Sequence, residues 1–181
     1  MCSTKLIPAF ILLISFTTVA QAQTQRNTFD WNGNSYDVIN LEDVTMNQGL
    51  VLTATEQQVL NVMGPPDSVD DVPNDLTVYN MTLLLYENSY FYFQENKIHQ
   101  LDINSDNLVV HYNGHSFKVG DNIASLETLF PNSFNTHEDV NTIVVNLGFI
   151  DGGELNSSTI DLVIQYDSNN KINRIRKAPL P

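Results

Sequence analysis

One eight-residue segment occurs twice in this chain and constrains its fold more than any other feature. It reads WNGNSYDV at residues 31–38 and YNGHSFKV at residues 112–119. Each copy places Asn-Gly between strand-forming residues, which is typical of a β-hairpin, because a type I′ turn needs positive φ at both central positions. The repetition predicts that a whole fold unit, and not only a turn, occurs twice.

A helix pattern follows each copy. In residues 119–134, Asp121 or Asn122 can cap a helix whose apolar residues recur at three- and four-residue spacing, and Pro131 ends it. Residues 53–69 carry the matching pattern in the first half, with a threonine cap and a Gly-Pro-Pro stop.

Strand-forming segments follow each helix, bounded by Asn, Asp, Ser and Gly. They lie at residues 76–86, 89–94 and 97–103 in the first half, and at 142–150, 159–167 and 171–177 in the second. We therefore predict an α+β protein of two tandem units, each a β-hairpin and one helix packed on an antiparallel sheet. Unit 1 spans residues 23–105 and unit 2 spans residues 106–181.

The order of elements resembles a known group. Gly120-Asp121 starts the second helix, and hairpins with Lys97-Ile98 and Lys171-Ile172 close the two units. This resembles the helix-plus-antiparallel-sheet unit of the β-lactamase inhibitor protein, which carries the unit in tandem. It is also similar to the small lipoprotein of the outer-membrane barrel assembly machinery. Unit 1 lacks the Gly-Asp start. The resemblance implies binding of another protein through the open sheet face or the loops at its edge.

The first residues predict a secretory signal peptide, residues 1–22, cut after Ala22. Residue 23 is Gln and not Cys, so we expect no lipid anchor. The single cysteine, Cys2, is lost with the signal peptide, so the mature chain has no disulfide. We expect a periplasmic or extracellular protein without a membrane anchor.

The chain is strongly acidic. Its net charge is −13 and becomes −14 when Lys5 is lost with the signal peptide. This charge argues against nucleic acid and anionic lipid as partners, because no basic surface is available to displace phosphate counterions. It favours solubility outside the cell over the alternative of a basic protein partner or metal ions. We expect the acidic stretch at residues 67–75 to be a solvated loop.

Motifs for catalysis or cofactor binding are missing from the sequence. There is no Ser-His-Asp order, Gly-rich phosphate loop or metalloprotease motif. His111 and His115 flank the second hairpin turn and should lie on opposite faces, which is poor geometry for one metal ion. Asp102, Asn104 and Asp106 begin a calcium-loop pattern that lacks its glycine and its bidentate glutamate. We predict no catalytic residue, no cofactor and no metal site.

The most suggestive segment is YENSYFYF at residues 86–93. In a strand the two phenylalanines face the helix, and Tyr90 and Tyr92 lie on the outer face, near Tyr79 or Tyr86 of a neighbouring strand. Tyrosine is favoured at interfaces because it combines a large apolar area with a polar tip. These four tyrosines are the predicted binding residues. The alternative is that they pack between the two units.

The sequence therefore favours a non-enzymatic binding protein that contacts an unidentified protein, of inhibitor, immunity or envelope-assembly type. Two alternatives stay open. One is a hydrolase using Asp and His side chains, and the other is a carrier holding a small ligand in a cleft between the units.

Overall fold

A computed structural model describes residues 26–29, 35–72, 81–136 and 141–179 of the protein. The strands in these residues are β1 (Arg26–Phe29), β2 (Ser35–Asn40), β3 (Thr45–Met46), β4 (Leu50–Val51), β5 (Ser68–Val72), β6 (Met81–Tyr86), β7 (Ser89–Gln94), β8 (Lys97–Ile103), β9 (Val110–Tyr112), β10 (His115–Phe117), β11 (Thr142–Asp151), β12 (Glu154–Asn156), β13 (Ile160–Tyr166) and β14 (Ile172–Pro179). The helices are α1 (Glu56–Met63), α2 (Pro131–Asn135) and short 3-10 turns at Leu41–Asp43, Asn47–Gly49 and Ile123–Leu126. No helix among the described residues is long and apolar enough to cross a bilayer.

Both halves of the chain contribute strands to one large mixed sheet. Its path runs in the order β1-β2-β11-β13-β14-β8-β7-β6-β5, and β12 pairs beside β11. The two predicted meanders meet where β14 pairs antiparallel with β8. Each meander alone would leave a long edge strand unpaired, and this pairing closes both edges. The predicted α+β fold of two tandem helix-plus-sheet units is therefore wrong, because the protein is mostly β and its halves share one sheet.

The two hairpins that carry the repeated segment lie in different sheets. The first, β1–β2, sits at the end of the large sheet, where β2 pairs in parallel with β11 from the second half. The second, β9–β10, joins β3 and β4 from the first half in a small sheet of order β10-β9-β3-β4. Each hairpin thus pairs with a strand from the other half of the chain. The repeated segment therefore does not give two equivalent structures.

The second hairpin has the predicted turn. Tyr112 pairs with His115, and the two residues between them, Asn113 and Gly114, have φ of 48° and 75°. Positive φ at both positions is what a type I′ turn requires. The corresponding Asn-Gly of the first hairpin lies outside the described residues.

Replacing Gly114 with valine should lower the free energy of unfolding by about 1 kcal/mol or more, because a branched side chain is strained at this φ. Thermal melts would measure the loss. Ser116→Val is the matched control, since Ser116 is exposed on β10, where a β-branched residue is well tolerated. Equal melting temperatures for both variants would contradict the strained-turn explanation.

The first predicted helix is confirmed and the second is not. Thr55 caps α1 in a capping box with Gln58, and Gly64 ends the helix at φ 81°. In the second half, Asn122 caps only the 3-10 turn at Ile123–Leu126. Pro131 begins α2 instead of ending a helix. A proline is well suited to a first helical position, since the N–H it lacks would have no partner there.

Four strands were not predicted, β3, β4, β5 and β12, and the last two are the longer ones. The acidic stretch expected to be a loop contains β5, an edge strand paired with β6, whose Asp70 and Asp71 are exposed. Charged residues on an edge strand discourage pairing with other chains. The other of these two strands, β12, folds back and pairs antiparallel with β11, so that Asn156 of β12 closely approaches Gly148 of β11. A β-carbon at Gly148 would overlap the carbonyl oxygen of Asn156, so only glycine fits there.

The hydrophobic core lies between one face of the large sheet, its inner face, and a layer formed by the small sheet and the helices. Phe91 of β7 and Ile164 of β13 belong to the same buried cluster as Val110 of β9, Val59 of α1 and Leu126. The cluster therefore combines both halves of the chain. The opposite face of the large sheet, its outer face, is the surface on which the predicted tyrosines fall.

Candidate functional site

Alternation along β7 places its tyrosines on the outer face. Phe91 and Phe93 are buried in the core cluster, whereas Tyr90 and Tyr92 are half-buried. The phenylalanines thus face inward and the tyrosines outward, as the spacing predicted. The alternative that these tyrosines pack between two units does not apply, because both halves lie side by side in one sheet.

Strand pairing extends this surface across the middle of the sheet. Tyr90 lies opposite Leu85 on β6 and Asp102 on β8, and Asp102 in turn lies opposite Arg176 on β14. We call this surface the tyrosine–arginine patch and define it by the following outer-face residues, none of which belongs to the core cluster: Leu83, Leu85, Tyr90, Tyr92, Gln100, Asp102, Arg174 and Arg176.

Asp102 organises the charged half of the patch. Its carboxylate accepts hydrogen bonds from Nε of Arg174 at 2.8 Å, from Nη2 of the same guanidinium, and from Nδ2 of Asn104 at 2.9 Å. This side chain is 14% exposed, compared with 38% for Arg174. The hydrogen bond to Asp102 raises the pKa of Arg174. Because the carboxylate is already engaged, it is not available to begin the calcium loop suggested by residues 102–106.

Arg176 shares the same carboxylate more loosely. Its Nε lies 3.8 Å from Oδ2 of Asp102, and its side chain is 37% exposed. The patch therefore places two guanidinium groups beside one carboxylate. This pair was not predicted, although Arg174 and Arg176, two residues apart in a strand, must lie on one face.

Tyr86 does not share the patch. It follows Leu85 by one residue and so lies on the inner face, where its ring makes an edge contact with Phe91 at a centroid distance of 5.8 Å. Its hydroxyl donates to the carbonyl oxygen of Gly64 at 2.9 Å, and burial raises its pKa. Its predicted position on the outer face is wrong, because the side-chain period of a strand is two and Leu85 already occupies that face. Tyr79 lies outside the described residues.

Comparison of this chain with known proteins finds no relative. No family model, curated protein or solved structure matches this chain. The resemblance to the inhibitor and assembly units therefore stays a prediction.

The described histidines, His99, His111 and His115, belong to no group of side chains placed to hold a metal ion. His111 pairs with Ser116 and His115 pairs with Tyr112, so the two lie on opposite faces of their hairpin, as predicted. His99 lies near Lys177, and burial together with that positive charge lowers its pKa. No group of three His, Cys, Asp or Glu side chains within the described ranges is placed to hold a metal ion. His137 lies outside those ranges.

A small cleft lies apart from the patch. It has a volume of about 240 Å³ and runs between the end of α1, the β6–β7 turn and the link to β9, with Met63, Tyr86 and Leu108 among its lining residues. Sites for small molecules are usually about 300–1,000 Å³. This cleft therefore gives little support to the alternative of a small-ligand carrier.

Proposed function

We propose that this protein is a secreted or periplasmic binding protein, without enzymatic activity, that acts through protein–protein contacts made by the tyrosine–arginine patch. An inhibitor, an immunity protein and an envelope-assembly factor would all act in this way. The location rests on the predicted signal peptide, and the binding role rests on the patch.

The observation that carries the proposal is a set of partly exposed aromatic and arginine side chains at the centre of the outer face. Helices and the small sheet cover the inner face, whereas Tyr90, Tyr92, Arg174 and Arg176 remain partly exposed on rigid central strands. Tyrosine and arginine are the residue types enriched at interface hot spots, and lysine, which is depleted there, does not occur in the patch.

Rigidity supports the same conclusion. The bidentate hydrogen bonds between Asp102 and Arg174 hold one guanidinium in place, and regular strand pairing on both sides holds Tyr90. A partner would therefore order few side chains on binding, and the entropic cost of association would be small.

Replacing Tyr90 and Tyr92 together with threonine should weaken capture of a partner by about tenfold or more, since aromatic anchors often contribute about 2 kcal/mol to binding. Threonine retains strand propensity, so the melting temperature should change little. The measurement is quantitative mass spectrometry of proteins retained from the native envelope and secreted fractions by immobilised wild-type and variant protein.

Tyr86→Phe is the matched control on the inner face. It removes the hydroxyl bonded to Gly64, so it should lower stability by about 1 kcal/mol and leave capture unchanged. The proposal fails if the double threonine variant retains every protein that the wild type retains.

A further inference from the structure

The charge of the tyrosine–arginine patch is opposite to that of the whole protein. The chain carries a net charge of −13, yet the patch holds two guanidinium groups and one carboxylate. Among the described residues, Arg174 and Arg176 share Asp102 as their ion-pair partner. Within the defined patch the guanidinium groups therefore outnumber the carboxylates by one, and Asp70 of the edge strand β5 lies on the same face, opposite Leu83.

The geometry shows which arginine is available. Arg174 uses two nitrogens on Asp102, whereas Arg176 approaches the same oxygen only to 3.8 Å, beyond hydrogen-bond distance. The guanidinium of Arg176 can therefore donate two hydrogen bonds to a second carboxylate in a planar, bidentate pair. Tyr90 lies across Asp102 from Arg176, so an incoming carboxylate would lie beside an aromatic surface.

The composition of the rest of the patch indicates what accompanies that carboxylate. Leu83 and Leu85 lie opposite Tyr92 and Tyr90 on β6, and together they form an apolar and aromatic half next to the charged half. Apolar side chains of a partner would bury area against this half.

We propose that the tyrosine–arginine patch binds an acidic segment of a protein partner, in which an Asp or Glu pairs with Arg176 and neighbouring apolar side chains pack on Tyr90 and Tyr92. This inference rests on the proposed function and names the chemistry of its partner. It differs from the alternative drawn from total charge, a basic partner, because contacts depend on the local charge within a screening length of about 10 Å.

The test is selection of displayed random peptides on the immobilised mature protein, using one library rich in Asp, Glu, Leu and Phe and a matched library with Lys and Arg in place of the acids. The acidic library should supply the enriched sequences. Their binding should fall about tenfold or more with Arg176→Gln and further with Arg176→Glu. Both variants leave the Asp102–Arg174 pair in place. Lys171→Gln, which removes one exposed charge outside the patch, should leave binding unchanged.

The other outcomes are distinguishable. Enriched peptides that require Tyr90 and Tyr92 but carry no acid, or that ignore Arg176, would overturn the acidic assignment and leave the proposed function standing. Binding of heparin that depends on Arg176, with no acidic peptide enriched, would assign the patch to an anionic glycan instead. Peptides that bind independently of both tyrosines, or no enrichment at all, would overturn this inference, while the capture experiment with native fractions tests the proposed function separately.

Discussion

Replacing Asp37 with alanine should lower the free energy of unfolding by about 3 kcal/mol or more. Asp37 lies on β2 and is fully buried. Its carboxylate accepts from the backbone N–H groups of Asn132 and Ser133 at 3.1 and 3.0 Å, and from Nδ2 of Asn132 at 2.7 Å. These backbone groups belong to the first turn of α2, whose own N-cap residue, Phe130, makes no side-chain hydrogen bond. Alanine would remove this acceptor from both N–H groups, of which that of Ser133 is buried.

Chemical denaturation of the purified variant measures this loss. Asp106→Ala is the matched control, because its side chain is 70% exposed and exposed substitutions usually change stability by about half a kcal/mol or less. If both variants lose the same small amount, Asp37 is not the cap of α2, and the attachment of the first hairpin to the second half must rest on other contacts.

The stability of the protein should rise by about 2 kcal/mol between pH 8 and pH 10 because of Lys177. This lysine lies on the inner face of β14 and is 3% exposed. Its Nζ donates to the carbonyl oxygens of Leu52 at 3.1 Å and Ile98 at 2.6 Å, and burial lowers its pKa from 10.5 to about 8. Between these two values the unfolded chain binds more protons than the folded chain, so raising the pH favours folding.

Tyr112 sets the upper limit of this window. Burial, with the charges of Asp43 and Asp37, raises the pKa of Tyr112 from 10.0 to about 12. Above pH 10 the folded chain therefore binds the additional proton, and stability falls as the pH rises. The increase due to Lys177 should accordingly be seen between pH 8 and pH 10 and not beyond it.

Urea denaturation at closely spaced pH values gives the profile. Lys177→Met fills a similar volume without a titrating group, so its stability should be nearly flat over the same window. Identical profiles for the wild type and the methionine variant would show that Lys177 is not the source of the pH dependence.

Much of the local structure could be predicted from the sequence. β6, β7 and β8 lie within the predicted segments, the α1 cap is Thr55, and the turn at Asn113-Gly114 has the expected backbone. These features depend on residues close together in the chain: alternation along a strand, a capping side chain and the φ preference of glycine. The outward orientation of Tyr90 and Tyr92 follows from the same alternation.

The errors have a common origin in contacts between distant residues. β5 was not predicted because its acidic sequence is suited only to the edge of a sheet. Which strand lies at the edge depends on how all the strands of the sheet pair. Pro131 was predicted to end a helix, but it begins α2. This role depends on Asp37, whose carboxylate accepts from the backbone N–H of Asn132. Because the two residues are 95 apart in the chain, no local pattern shows the contact. The charged half of the patch depends on pairing between β8 and β14.

The sequence by itself determined the longer strands of the two meanders, where α1 begins and which side of β7 carries its tyrosines, because these follow from the covalent period of the backbone and from nearby side chains. Only the tertiary structure decided that the halves share one sheet and exchange hairpins. That choice buries the apolar faces of both halves in one core and leaves fewer unpaired strand edges than two separate units would. It also brings Arg174 and Arg176 beside Asp102, and so creates the patch on which the proposed function rests.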